Sequence, residues 1–208
     1  MIFICSELTN NLAYLNYMYN MLPDNKKEKY GFKRNYNQLF QTIFAYWLLQ
    51  YSTDYLNIHL RLSENQYGKP YDLNGKYYFN ISHCKDAVAC IIGNTFNGID
   101  VESIINKNCY DIIKKKVCNK NELVLLRNSD EPLVEFTKLW TFKESYLKMM
   151  GTGIIGDLKK VCYNNCNVFF ESKVYEKFVL TYCSINKEEL YEVSSDKIIA
   201  YISNQKKR

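Results

Sequence analysis

No stretch of this 208-residue sequence is both long and apolar. The longest apolar run, Ile43 to Leu49, is far below the roughly 18 residues that a membrane-crossing helix needs, so no membrane association is expected. The opening Met1-Ile-Phe-Ile-Cys5 lacks a basic flank and soon reaches Ser6-Glu7, unlike a secretory signal, and a cytoplasmic location is the expectation. Tight clusters of soft ligands are also lacking. The eight cysteines (5, 84, 90, 109, 118, 162, 166, 183) are scattered, with only Cys162 and Cys166 close together, and the two histidines, His59 and His83, lie far from that pair. That spacing argues against a disulfide framework and against a structural zinc site. No internal repeat is visible. Strong charge is absent as well. Twenty-seven basic against 22 acidic residues give +5, too mild for a dedicated nucleic-acid binder but compatible with a phosphate-bearing ligand or an acidic protein surface.

What is present is an ordinary globular composition, 47% hydrophobic, long enough for one large domain or two small ones. Hydrophobic periodicity predicts a first strand over 1–7 and helices over 11–22 and 37–51. The charged run 24–34 between those helices reads as a solvated loop, or as a rim that attracts anions. Strands are predicted over 58–62, 77–82, 87–92 and 99–102, then helices over 110–117 and 119–128, with Asn119 as N-cap and Glu122 three residues on. A long helix should run from Glu131-Pro132 to about Met150, stopped by Gly151. Strands are predicted again over 160–163, 167–172, 176–185 and 197–203. The result is an α+β fold in two halves, 1–97 and 98–208, each with antiparallel strands and a long helix.

Chemistry concentrates in the second half. Trp140, Glu144 and Lys148 are four apart and share a helix face spanning roughly 12 Å. A solvated Glu-Lys pair is the commoner meaning of such a face. On the strand 99–102, Ile99 and Val101 should point into the core, and Asp100 and Glu102 the other way, roughly 6.6 Å apart. Two carboxylates aimed together repel, so unless solvated they need a cation. With Glu144 they make three oxygen ligands, suited to Mg²⁺ or Mn²⁺ rather than zinc. Mg²⁺ commonly completes its shell with substrate phosphate, whose charge Lys148 is placed to neutralise.

Gly68-Lys69-Pro70, Phe79-Asn80-Ile81-Ser82-His83, Gly98-Ile99-Asp100-Val101-Glu102 and Trp140-x-x-Lys143-Glu144-Ser145-x-x-Lys148 occur in one order. Order and spacing resemble the 4′-phosphopantetheinyl transferases of the surfactin-synthetase-activating type, over roughly residues 30 to 155. The resemblance implies a pseudo-twofold monomer of two similar α/β halves with coenzyme A in the cleft between them. The implied reaction moves the phosphopantetheine arm to a serine of an acyl or peptidyl carrier protein and releases adenosine 3′,5′-bisphosphate. By the same resemblance Asp100, Glu102 and Glu144 hold Mg²⁺ on the pyrophosphate, and Glu144 is the candidate base. Lys148 contacts phosphate, Lys69 and Pro70 the nucleotide end, and Ser82 and His83 the coenzyme's phosphates. Lys29, Lys33 and Arg34 are candidates for the 3′-phosphate, and the loop through Gly151 and Gly153 matches the carrier-facing region. Cys84 stands where the family more often has serine, and Asn37 near a position where arginine is common.

Each motif has a plainer meaning. A lone histidine at a strand end is more often structural, Gly-Lys-Pro is commonly only a turn, and Trp140 can be a cleft wall. Ser82 and His83 are not a nucleophile and base, because strand neighbours face opposite ways. Two other functions use similar parts. A metal-dependent nuclease or phosphodiesterase would need a long basic groove, and a coenzyme A or carrier-protein binding module without turnover would lack a metal ligand.

Overall fold

The structure is a computed structural model that describes residues 1–8, 11–31, 35–65, 70–151, 158–163 and 167–205. In chain order, β1 (Ile2–Cys5) is followed by α1 (Leu12–Asn20), α2 (Asp24–Gly31) and α3 (Tyr36–Tyr55), then β2 (Leu62–Glu64), β3 (Pro70–Asp72), β4 (Tyr78–His83), β5 (Val88–Gly93) and β6 (Asn97–Ser103). Helices α4 (Lys107–Val117), α5 (Lys120–Arg127) and α6 (Pro132–Met150) come next, then β7 (Phe169–Val174), β8 (Phe178–Ser184), β9 (Leu190–Glu192) and α7 (Ser195–Gln205).

Strand alternation sorts the core into layers. On β1, Phe3 and Cys5 face α3, where they meet Phe44, Leu48, Val88 and Cys90, while Ile2 and Ile4 face the other way onto Ile99, Val101, Leu180 and Tyr182. One sheet, in the order β4-β5-β1-β9, therefore has α3 on its outer face and lies against a second sheet, β6-β8-β7, on its inner face. On the far side of that second sheet, α6 sets Phe142 and Met149 against Cys183, and Thr141 Oγ1 meets Thr181 Oγ1 at 2.7 Å. The fold is α+β, a long helix on each sheet, as the periodicity predicts. The strand pairs are antiparallel except β1 with β9. Through β9 and α7, residues 190–205 return to pack on the first sheet and α3.

Several local expectations are corrected. The charged run after Pro23 is not a loop: residues 24–31 form α2, with Asp24 in its first turn and Lys29 in its last, where each charge complements the helix dipole. No residue of α2 is buried, so it leaves no hydrophobic period to read. The strand expected over 197–203 is α7, whose buried Ile198 and Ile202 are four apart, a helical step hidden in a short apolar run. The strand expected over 160–163 does not form, Lys160 instead closing a 3₁₀ turn over Leu158–Lys160, and the 58–62 strand is displaced to Leu62–Glu64. The helices over 119–128 and 131–150 stand as read. Asn119 and Glu122 close a capping box, and Gly151 ends α6 in the left-handed conformation, with φ at 71°.

Candidate active site

The site forms where β4, at the edge of the first sheet, meets β6, at the edge of the second. Side chains there replace a backbone ladder: Asn80 Oδ1 accepts from the Ile99 N–H at 3.2 Å, and Ser82 Oγ from the Val101 N–H at 3.2 Å. Helix α6 crosses this seam at close range because position 98 has no side chain. A Cβ on Gly98 would stand 2.0 Å from the Ser145 carbonyl oxygen and 2.5 Å from the Met149 nitrogen.

That approach brings Lys148 of α6 onto the strand. Its Nζ donates to Asp100 Oδ1 at 2.6 Å, to Ser82 Oγ at 2.9 Å and to the Ile99 carbonyl at 3.2 Å. Ser82 donates its hydroxyl proton to the same Oδ1, at 2.9 Å. Asp100 is only 2% exposed, and its second oxygen, Oδ2, has no hydrogen-bond partner among the described residues. Glu144 is also buried, and its Oε1 has none either. Burial and the nearby Asp100 charge raise the Glu144 carboxyl above its ordinary range, with Lys148 pulling the other way. Burial, then Asp100, pushes Glu102 up to about 7, with Glu144 adding to the rise, against the opposing pull of Lys148 and a hydrogen bond from Trp140.

Among the described residues no three His, Cys, Asp or Glu side chains converge as a formed metal cage. The donor chemistry nevertheless fits a hard cation. Buried acceptors without partners are costly, and burial with the nearby Asp100 charge raises the Glu144 carboxyl, so Asp100 Oδ2 and Glu144 Oε1 sit where a cation would be favoured. Mg²⁺ takes one or two carboxylates and fills its remaining positions with water and phosphate, so it needs an open face rather than a cage.

Two cavities are lined by residues of this region. One of about 420 Å³ is lined by Lys26, Lys29, Thr42, Pro70, Ile81 and His83 among others. The other, about 210 Å³ and largely apolar, has Glu102, Ile105, Ile113, Phe136 and Trp140 in its wall. Beneath the carboxylates, Lys143 is fully buried and turned away from them. Its Nζ donates to Glu122 Oε2 at 2.8 Å, to the Leu158 carbonyl at 2.9 Å and to the Val117 carbonyl at 3.0 Å.

Residues 97–194, which carry Asp100, Glu102, Glu144 and Lys148, match the family model described as the 4′-phosphopantetheinyl transferase superfamily. Over this segment the chain is similar to the 4′-phosphopantetheinyl transferase superfamily. Similarity to curated members extends over more of the chain. It is 32% identical over 149 residues to the 4′-phosphopantetheinyl transferase gsp of Aneurinibacillus migulanus, covering 66% of this chain and 61% of that protein. It is 37% identical over 109 residues to the 4′-phosphopantetheinyl transferase Sfp of Bacillus subtilis, covering 50% of this chain and 46% of that protein. It is 25% identical over 178 residues to the L-aminoadipate-semialdehyde dehydrogenase-phosphopantetheinyl transferase of Saccharomyces cerevisiae, covering 68% of this chain and 65% of that protein. In each case the chain spans less than two thirds of the relative's length.

Against this superfamily's motifs, the structure gathers Ser82, Asp100 and Lys148 into one hydrogen-bonded group, with Glu102 and Glu144 electrostatically coupled to it. Pro70, His83 and Lys29 line the 420 Å³ cavity instead. Lys69, Lys33 and Arg34 lie outside the described residues. The solvated Glu144–Lys148 pair is not what forms, because Glu144 is buried and Lys148 binds Asp100. Lys26, part of the charged run read as a possible anion-attracting rim, also lines this cavity, one turn before Lys29 on α2. Lys143 belongs to the Trp140-to-Lys148 motif, and nothing in its spacing foretells burial.

Proposed function

We propose that this chain transfers the 4′-phosphopantetheine arm of coenzyme A to a serine hydroxyl of an acyl or peptidyl carrier protein, with Mg²⁺ or Mn²⁺ bound by Asp100, Glu102 and Glu144. The observation that carries the reading is the pair of buried, unpartnered oxygens, Asp100 Oδ2 and Glu144 Oε1, on a seam where Lys148 already supplies one positive charge. The match of residues 97–194 to the superfamily model and the names of the relatives support it. As an enzyme of this kind the chain would work as a monomer in the cytoplasm.

When bound, the metal supplies charge neutralisation at the coenzyme's pyrophosphate. The chain's own residues do the rest. Lys26, Lys29, His83 and Pro70 receive the nucleotide end, with the two lysines opposing the 3′-phosphate. Lys148 adds positive charge beside the pyrophosphate. Glu144, whose raised pKa favours proton uptake, accepts the carrier serine's proton through Oε1. The serine oxygen then bonds to the phosphorus that bears the pantetheine arm. The bond from that phosphorus to the bridging oxygen breaks, and adenosine 3′,5′-bisphosphate leaves with the electron pair. The apolar 210 Å³ cavity beside Glu102 and Trp140 would receive the arm.

Chromatography of the nucleotide products tests this. Adenosine 3′,5′-bisphosphate should appear only when apo carrier, coenzyme A and Mg²⁺ are all present. Coenzyme A that binds without ever releasing it, across several carriers, would point to a binding module instead.

A further inference from the structure

The Ser82 hydroxyl has one proton to give and two lone pairs to receive. All three are engaged within the chain: the proton goes to Asp100 Oδ1 at 2.9 Å, and the lone pairs take the Val101 N–H at 3.2 Å and Lys148 Nζ at 2.9 Å. A residue in that state has no donor left for a phosphate, the contact that the motif implied for it. Its partners explain what it does instead. Val101 lies beside Asp100 on β6, Lys148 holds the same carboxylate oxygen that Ser82 holds, and Ser82 is itself 7% exposed. With Oδ1 held by two donors, the Asp100 carboxylate cannot rotate freely, and its other oxygen, Oδ2, is fixed in the buried position where it has no partner.

We propose that Ser82 is a positioning residue for the metal, acting through Asp100: together with Lys148 it clamps Oδ1 and presents Oδ2 to the cation. This rests on the reading of Asp100 as a metal ligand. A group that orients a ligand in this way typically changes metal affinity by about 10–100-fold when removed. A phosphate contact would instead change nucleotide affinity. The two roles therefore separate in binding measurements that need no turnover.

The test is a Mn²⁺ titration followed by electron paramagnetic resonance on the whole chain, paired with calorimetry of adenosine 3′,5′-bisphosphate in EDTA. Ser82→Ala should weaken Mn²⁺ binding about 10–100-fold and leave nucleotide affinity within about threefold. Ser82→Thr, which keeps the hydroxyl, should restore Mn²⁺ binding. If Ser82→Ala does not fold, Ser82→Cys carries the same test, because its thiol fills the space but is a weak donor and acceptor. Unchanged Mn²⁺ affinity, or a loss confined to the nucleotide, would overturn the proposal. Failure of the unaltered protein to bind Mn²⁺ would overturn the underlying metal-site reading instead, and the nucleotide titration would then report on coenzyme recognition separately.

Discussion

Glu144 keeps a carboxylate 8% exposed, close to Asp100 and without a partner for Oε1. Such a group is retained at a cost to the metal-free fold, because a buried charge among like charges is destabilising. Glu144→Gln preserves shape and removes the charge. In EDTA it should melt at a higher temperature than the parent by differential scanning fluorimetry, while transfer falls about 10²–10⁴-fold and coenzyme binding is partly retained. Full activity in that variant would contradict the role of Glu144. Glu102 gives a pH signature. Its carboxyl rises from an ordinary value of 4.5 to about 7 on folding, so the folded chain holds that proton more tightly. The contribution is complete below pH about 4.5 and is lost as pH rises through 7. In urea titrations with EDTA, the stability of the parent relative to Glu102→Gln should therefore decline between pH 5 and 8. Added Mg²⁺ should stabilise the parent more at pH 8 than at pH 5.5.

At the scale of elements, the site depends on how closely α6 can lie on β6. Gly98→Ala would drive a methyl group into the backbone at Ser145 and Met149, which cannot move without shifting the helix. Loss of soluble, cooperatively melting protein is expected, and a variant with parental stability would show that α6 stands further off. Lys143 ties α6 to the end of α4, to α5 and to the turn at Leu158. Replacing it with Met leaves Glu122 buried without its cation and should cost about 3–5 kcal/mol in urea unfolding. Adding Glu122→Gln should recover part of that, since the uncompensated charge is then gone. These elements also mark what could be read in advance. The capping box at Asn119 and Glu122 and the stop at Gly151 are local, so the sequence carries them. The face Trp140-Glu144-Lys148 was legible as a spacing, but whether it met water or a strand was not, since that depends on Gly98 and the seam beneath. Helix α2 lacked a buried face and therefore a period, and α7 hid a helical step inside five apolar residues, 198–202.

Across the whole molecule, the two sheets meet through Asn80 and Ser82 rather than through a continuous ladder, and the carboxylates occupy that joint. The 420 Å³ cavity proposed for the nucleotide draws on α2, α3, β2, β3 and β4, whereas the apolar cavity beside Glu102 draws on β6, α4 and α6. Coenzyme A lying with its nucleotide in one and its arm in the other would cross the joint with its pyrophosphate, where the positive charge of Lys148 and the proposed metal lies. Order of motifs along the chain made this family resemblance readable. The division of labour between Ser82 and His83, neighbours on β4 that serve different places, emerged only from the packing. The central claim is transfer of the arm, and intact-mass spectrometry of an apo carrier protein measures it directly. Incubated with this chain, coenzyme A and Mg²⁺, the carrier should gain the mass of one phosphopantetheine arm, and EDTA should prevent the gain. Carriers from fatty-acid, polyketide and nonribosomal peptide synthesis that all stay at their apo mass, with Mg²⁺ present and coenzyme A bound, would contradict the account.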